Sequence, residues 1–181
     1  TSVYNSEITN CYSESVVFGN GLYTAGLIAE AYESEVRNCY NLGKVNGFTY
    51  VGGVVAYGSY TTIENCYNKG NVAGSNVVGG VVGRATYSSE VKNSYNTGVV
   101  TGEKQSGVVS QLLRDSGVSN CYYLEGTYGV GINKGSSTDP DNTGKRSLSE
   151  ITTLMNSTLT SPEWEAGPDG YPVLSCFKTA E

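Results

Sequence analysis

The chain has 181 residues, enough for one domain with a buried core or for a repeat array with a small appendage. Its 24 glycines, 15 tyrosines and low charged fraction of 15%, with no histidine, are typical of a turn-rich β protein. The net charge of −6 comes without a cluster of basic residues, which excludes nucleic acid and anionic membrane as partners. No apolar run is long enough to span a membrane, so we expect no direct membrane insertion.

The tripeptide Asn-Cys-Tyr recurs along the first two thirds of the chain. Its copies follow one another at an almost constant spacing, and the fourth copy has serine in place of cysteine. A β-branched residue stands two positions before each asparagine. The five copies begin at Asn10, Asn38, Asn65, Asn93 and Asn120.

Two further patterns keep the same period. A glycine inside a small and apolar segment recurs at a constant spacing, at Gly26, Gly53, Gly80 and Gly107. A third short apolar segment contains Val17, Val45, Val72 and Val100. Three β-branched segments per unit, separated by glycine and asparagine, indicate strands and turns rather than helices. The sequence therefore predicts an all-β fold, a right-handed parallel β-helix or solenoid of about five 27–28-residue rungs with a short C-terminal helix and strand cap.

The repeat resembles the GLUG-motif repeats of bacterial cell-surface, adhesin-like proteins. The resemblance is carried by Val78 to Gly83 (Val-Gly-Gly-Val-Val-Gly) and by Asn65 to Val72 (Asn-Cys-Tyr-Asn-x-Gly-x-Val), and it covers roughly residues 1–126. It implies an exported bacterial protein, either adhesin-like or a non-catalytic region of a surface peptidase. It supplies no catalytic residue.

Three regions are predicted along the chain. In the fifth unit the glycine-valine segment is reduced to Gly129 to Ile132, so we expect the solenoid to end there. Ser147 and Glu150 form a capping box for a helix that runs to about Leu159, and this helix, Trp164 and a Tyr-Pro strand should cover the terminal rung. The predicted regions are solenoid repeats at 1–126, a Gly/Ser/Asp-rich linker at 127–146, and the C-terminal helix and strand cap at 147–181.

Catalysis has little support in the residue types. Without histidine, Ser-His and Cys-His nucleophile pairs are impossible, and no Ser-x-x-Lys motif occurs. The carboxylates do not cluster as a glycan-cleaving β-helix would require, and Asp115 is the only aspartate of the solenoid. We therefore expect no enzymatic activity, no catalytic residue and no cofactor.

Four cysteines occupy equivalent positions in the repeat. Cys11, Cys39, Cys66 and Cys121 share the position that holds Ser94 in the fourth unit, which predicts a ladder of small buried residues with free thiols. Parallel side chains hinder a disulfide, and thiols spread along a stack cannot converge on one metal ion.

The tyrosines of the tripeptide are the candidate binding residues. Exposed rings would contact a glycan or a protein, whereas inward rings would only pack between rungs. Strict strand alternation would expose Cys39, whereas a left-handed turn at Asn38 would turn Tyr40 outward instead. The candidate column consists of Tyr12, Tyr40, Tyr67, Tyr95 and Tyr122.

A calcium-loop spacing occurs in the linker, at Asp139, Asp141, Thr143, Gly144 and Glu150. It lacks an entering helix, and the capping box already explains Glu150. We therefore predict no metal ion at these residues.

The patterns together favour an extracellular surface scaffold or adhesion module that presents a binding face to host glycan or protein on the bacterial cell surface. The alternative is a carbohydrate-binding accessory module of a larger secreted enzyme. The sequence contains no signal peptide and starts inside a patterned segment, so we expect it to come from a longer precursor.

Overall fold

Short parallel strands stack coil upon coil through the first two thirds of the chain. The computed structural model describes residues 1–126, 130–132, 144–157 and 163–177, with only the backbone described at 130–132. Every strand pair in the stack is parallel and joins equivalent positions of successive repeats, as between Val55 and Val82. The predicted solenoid of about five coils is thus confirmed. The coils are numbered one to five by the asparagines of the repeated tripeptide.

The first sheet contains two columns of strands. One column consists of Tyr23–Ala25, Tyr50–Gly52 and Val77–Gly79. The other consists of Ser2–Tyr4, Ile28–Tyr32, Val55–Ser59 and Val82–Thr86. The long strand Lys104–Leu112 extends both columns and also pairs with Val130–Ile132.

The second and third sheets complete each coil. The second sheet consists of Glu7–Thr9, Tyr12–Ser13, Glu35–Arg37, Tyr40–Asn41, Thr62–Glu64, Tyr67–Asn68, Glu90–Asn96, Gly117–Leu124 and Gly144–Arg146. The third consists of Val17–Phe18, Val45–Asn46, Val72–Ala73 and Val100–Thr101. Strands therefore occur in all three apolar segments that the sequence indicated.

The repeated glycine is required because neighbouring coils approach too closely at this position for a side chain to fit. A Cβ atom at Gly53 would overlap the carbonyl oxygen of Gly80 and press on the side chain of Asn68. The chain turns tightly here between the two columns of the first sheet, with Val54 directly after the glycine. The Val54 N–H donates to the Val81 carbonyl (2.9 Å), and the Val81 N–H donates to the Val108 carbonyl (3.0 Å). These three valines are fully buried and stacked in register, each directly after one of the regularly spaced glycines.

The coil interior holds two apolar clusters. The larger lies between the first and second sheets and combines the valines with the cysteines of the tripeptide. The smaller lies against the third sheet and consists of Val45, Val51, Val72, Val78 and Val100. Stacking buries these side chains because one coil cannot cover its own apolar face.

A buried asparagine ladder runs beside these clusters. The amide of Asn68 donates to the Gly70 carbonyl (2.6 Å) and to Asn96 Oδ1 (2.8 Å), and Asn41 donates to Asn68 Oδ1 (2.8 Å). All three asparagines are fully buried. Asn41 and Asn68 therefore each tie their own turn to the next coil, and Asn96 ends the ladder.

The C-terminal unit consists of one helix and a small hairpin. The helix spans Leu148–Met155 and starts with the predicted capping box, and Asn156 is its C-cap. Leu159, to which the sequence extended the helix, lies outside the described residues. The hairpin pairs Trp164–Ala166 with Pro172–Leu174 and ends in the 3-10 turn Ser175–Phe177.

The cap packs on the side of the stack. Its buried residues Ile151, Met155, Trp164 and Leu174 form one cluster with tyrosines of the second sheet. The cap therefore spans several coils, and its helix also contacts Gly117–Leu124, the second-sheet strand of the fifth coil.

Candidate binding face

A left-handed turn decides which side of the second sheet the tyrosines occupy. The asparagine of every tripeptide has a φ between 48° and 54°, a region that asparagine adopts more readily than other residues with a side chain. The turn breaks the strand alternation, so that the cysteine points inward and the tyrosine outward. Of the two alternatives that the sequence left open, the structure therefore has the left-handed turn. The amides also link coils, as Asn65 Nδ2 donates to Asn38 Oδ1 (3.1 Å).

The predicted tyrosine column is a stack of nearly parallel rings. The ring centroids are 5.1 Å apart between Tyr12 and Tyr40, 4.7 Å between Tyr40 and Tyr67, and 5.1 Å between Tyr67 and Tyr95. Tyr122 continues the column in register with Tyr95. All five candidate residues are thus brought together, one in each coil.

The C-terminal cap covers most of this column. Tyr67, Tyr95 and Tyr122 are buried, and Trp164 tilts against the first two at 5.8 and 5.6 Å. The Tyr95 hydroxyl donates to the Pro172 carbonyl (2.6 Å), and burial raises its pKa well above the ordinary value. Only Tyr12 is exposed, at 56%. A ligand of this column would therefore contact its first-coil end.

The cysteine ladder lies inside the stack, with its first member open to solvent. Cys39, Cys66 and Cys121 are buried, Cys11 is exposed, and no disulfide joins cysteines of the described residues. Burial raises the pKa of Cys121 to about 12, whereas a hydrogen bond with Cys66 lowers the pKa of Cys39. Within the described ranges, no group of three or more metal-ligating side chains converges.

Only some of the calcium-loop residues lie within the described ranges. Asp139, Asp141 and Thr143 lie outside the described residues. Glu150 accepts a hydrogen bond from the Ser147 N–H (2.9 Å) and one from its hydroxyl (2.7 Å). These hydrogen bonds lower the pKa of Glu150 and complete the capping box.

A second column of tyrosines lies at another corner of the coil and is open to solvent. Tyr4 is 58% exposed, Tyr32 36% and Tyr60 48%. The ring centroids of Tyr60 and Tyr87 are 5.3 Å apart, and the guanidinium of Arg114 lies 4.4 Å from the Tyr87 ring centre. No motif in the sequence marks this column, although its tyrosines recur with the period of the repeat.

The sequence did not reveal the second column because the residue types at its corner differ from coil to coil. Tyr60, Tyr87 and Arg114 have positive φ values of 51° to 53° at a corner where the earlier coils have Asn5 and Glu33. No single residue type therefore marks the corner. Bulky residues are uncommon in this backbone region, and they are strained there.

The neighbouring strands add a third group of tyrosines. Tyr57 lies between Glu30 of the second coil and Arg84 of the fourth, in the register of the first sheet. Its ring centroid is 5.0 Å from that of Tyr23 and 6.4 Å from that of Tyr50. The Arg84 Nη1 donates to the Tyr50 hydroxyl (2.9 Å).

We call this outer surface of the first sheet the tyrosine face. It is defined by Tyr4, Tyr23, Tyr32, Tyr50, Tyr57, Tyr60, Tyr87, Arg84 and Arg114.

The tyrosine face has carboxylates in the second coil and guanidinium groups in the fourth and fifth coils, where the exposed Asp115 follows Arg114 in the chain. Glu30 and Glu33 lie in the second coil, and Glu30 accepts a hydrogen bond from the Tyr4 hydroxyl (3.3 Å) and raises the pKa of Tyr4. Arg84 and Arg114 lie in the fourth and fifth coils. In the part of the chain that the structure describes, neither arginine forms a salt bridge.

The repeats match a known motif. The GLUG motif family matches residues 49–73 and 74–101. Two GLUG motifs are present in the chain. This confirms the resemblance for the third and fourth coils, whose glycine-valine segments are Gly-Gly-Val-Val.

A solved structure shares the fold. A protein of Bacteroides ovatus named "putative immunoglobulin A1 protease" is 22% identical to this chain, with a TM-score of 0.69. The match covers 95% of this chain and 58% of that one, so this chain spans less than two thirds of its length. None of the curated proteins matches the chain. Among the described residues, no helix is long and apolar enough to cross a membrane.

Proposed function

We propose that the chain is a non-catalytic binding module of an exported bacterial protein, displayed at the cell surface and engaging host glycan or protein through the tyrosine face. The observation that carries this proposal is the face itself, on which tyrosines recur in successive coils and stay accessible. Aromatic residues and arginine are enriched at recognition surfaces because they supply large contact area together with hydrogen-bonding groups.

The surface location has indirect support. GLUG repeats and the Bacteroides ovatus neighbour are both consistent with a secreted or surface β-helix module. We infer in addition that the chain is displayed at the bacterial cell surface and mediates adhesion there. An inert scaffold would have no need for bulky residues at a strained, exposed corner, since asparagine serves the other left-handed corner in all five coils.

A second candidate function is an accessory module that holds a larger secreted enzyme on its polysaccharide. The 58% coverage of the Bacteroides ovatus structure is compatible with further regions in such a protein. The two candidates differ in ligand, because an accessory module binds the polymer that its enzyme cleaves, whereas an adhesion module binds a host surface.

The test is binding of the purified chain to panels of defined host glycans, extracellular host proteins and insoluble polysaccharides, followed by two variants. Tyr60→Asn removes an exposed ring of the tyrosine face and places asparagine where φ is positive, so the fold should be retained. Tyr12→Ala removes the exposed ring of the other column and is the matched control.

We expect Tyr60→Asn to weaken binding about tenfold, the order of a lost aromatic contact at an interface, and Tyr12→Ala to leave it unchanged. The opposite result would place the ligand on the tripeptide column. Binding to no member of the three panels would contradict the proposal. Binding confined to an insoluble polysaccharide would favour the accessory module.

A further inference from the structure

We infer that the tyrosine face binds an oligosaccharide of neutral sugars that ends in one carboxylate-bearing sugar, with this acidic sugar at the arginine end. This inference rests on the proposed function and specifies its ligand. It follows from the way in which the solenoid separates charges of opposite sign on one surface.

The separation is fixed by the register of the first sheet. Glu30, Tyr57 and Arg84 pair in sequence across three successive coils, so the Cα atoms of Glu30 and Arg84 are two coil spacings apart. With about 4.8 Å between parallel strands, that is roughly 10 Å between the two backbones, and Tyr57 occupies the strand position between them. In the described part of the chain the two side chains form no salt bridge. Arg84 is thus kept from the nearest carboxylate of its own column.

Both arginines are held in place without being neutralised. The Arg84 guanidinium lies 5.4 Å from the Tyr50 ring centre and 5.8 Å from that of Tyr57, and it donates to the Tyr50 hydroxyl. Arg114 lies over Tyr87. Contacts with aromatic rings orient a guanidinium but leave its charge available, and its planar fork matches a carboxylate. Arginines fixed before binding lose less side-chain entropy when an anion arrives.

The middle of the face suits a neutral polyhydroxylated chain. Between the arginines and the glutamates lie tyrosines that combine apolar ring surface with hydroxyl groups, which complements a sugar's apolar C–H surface and its hydroxyls. Ring centroids separated by 5.8 Å from Tyr32 to Tyr60 and by 5.3 Å from Tyr60 to Tyr87 are close to the length of one hexose in an extended chain.

The acidic end restricts the ligand further. Glu30 and Glu33 would repel a polymer that carries a carboxylate on every sugar, because like charges close together raise the free energy of the complex. An oligosaccharide with one terminal carboxylate avoids this repulsion. From Arg114 in the fifth coil to Tyr32 in the second is three coil spacings, roughly 14 Å, which accommodates three or four sugars.

The experiment compares 3′-sialyllactose, lactose and oligogalacturonate by titration calorimetry. We expect 3′-sialyllactose to bind at least about tenfold more tightly than lactose, the order of one charge-assisted contact, and to weaken with added salt. Oligogalacturonate should bind more weakly than 3′-sialyllactose. Arg114→Gln should abolish the preference over lactose, because this exposed side chain contributes charge and no core packing. Lys44→Gln removes an exposed positive charge outside the face and should change nothing.

Three results would overturn the inference: equal affinity for lactose and 3′-sialyllactose, a preference that survives Arg114→Gln, or tighter binding of oligogalacturonate. Melting curves of the variants verify that they are folded. If no saccharide binds while Tyr60→Asn still weakens a protein ligand from the panel, the inference fails and the proposed function stands. If no ligand of any kind binds, both fail.

Discussion

Replacing Asn68 by alanine tests whether the buried asparagine ladder stabilises the stack. Asn68 is the central member: its amide donates two hydrogen bonds, and its Oδ1 accepts one from Asn41. The ladder ends after three residues, because the positions in register with its ends are Ser13 and Tyr123.

The expected cost follows from these contacts. Three buried hydrogen bonds at about 1 kcal/mol each give about 3 kcal/mol, and the Gly70 carbonyl left without a donor adds about 1–2 kcal/mol. We therefore expect Asn68→Ala to lower the free energy of unfolding by about 4–5 kcal/mol. For a chain of this size that corresponds to a drop in Tm on the order of 10 °C. Asn41→Ala should cost about 3–4 kcal/mol, since it loses two hydrogen bonds and leaves the Gly43 carbonyl without its donor, while Asn41 Oδ1 has no hydrogen-bond partner to lose.

Urea and thermal unfolding followed by circular dichroism measure these differences. The matched control is Asn71→Ala, which deletes the same group at an exposed position where Oδ1 accepts one hydrogen bond from Val99 N–H. It should cost less than about 1 kcal/mol. Equal effects of Asn68→Ala and Asn71→Ala would refute the view that the ladder links the coils.

Three further outcomes are expected. Tyr95→Phe removes the buried donor to Pro172 and should lower the free energy of unfolding by about 1–3 kcal/mol; an unchanged urea midpoint would show that the cap does not depend on this bond. Because burial raises the pKa of Cys121 to about 12 from 9.0, its contribution to stability is complete below pH 9 and is lost as the pH rises toward 12. Replacing Cys121 by serine, as at Ser94, should therefore reduce the alkaline decline of the urea midpoint, and an identical decline would contradict this assignment. Millimolar calcium should leave the Tm unchanged, since an ion that binds only the folded state would raise it; a rise abolished by Glu150→Gln would establish a calcium site.

The tripeptide column shows how far the sequence led toward a candidate site. Its spacing predicted that one tyrosine per coil would stack, and the rings do stack. The spacing could not predict which part of the column a distant segment covers, because burial of Tyr95 depends on Trp164 and Pro172, which lie far beyond the last repeat in the chain. The open column was missed for the converse reason, since its tyrosines recur without a fixed neighbouring motif.

The sequence by itself determined the period, the parallel stacking and the valines of the core. A residue that recurs once in every repeat must occupy the same place in each coil, so local repetition is enough to define a solenoid. The capping box of the C-terminal helix was likewise readable, because Ser147 and Glu150 interact within one turn.

The tertiary structure determined which side chains on the surface are accessible to a partner and how their charges are arranged. The side to which a tyrosine points depends on the φ angle at the preceding asparagine, for which the sequence allowed two values. Its exposure depends on where the cap docks, and the separation of Glu30 from Arg84 depends on strand register. These are contacts between residues far apart in the chain, and their free energies depend on geometry that a periodic pattern does not encode.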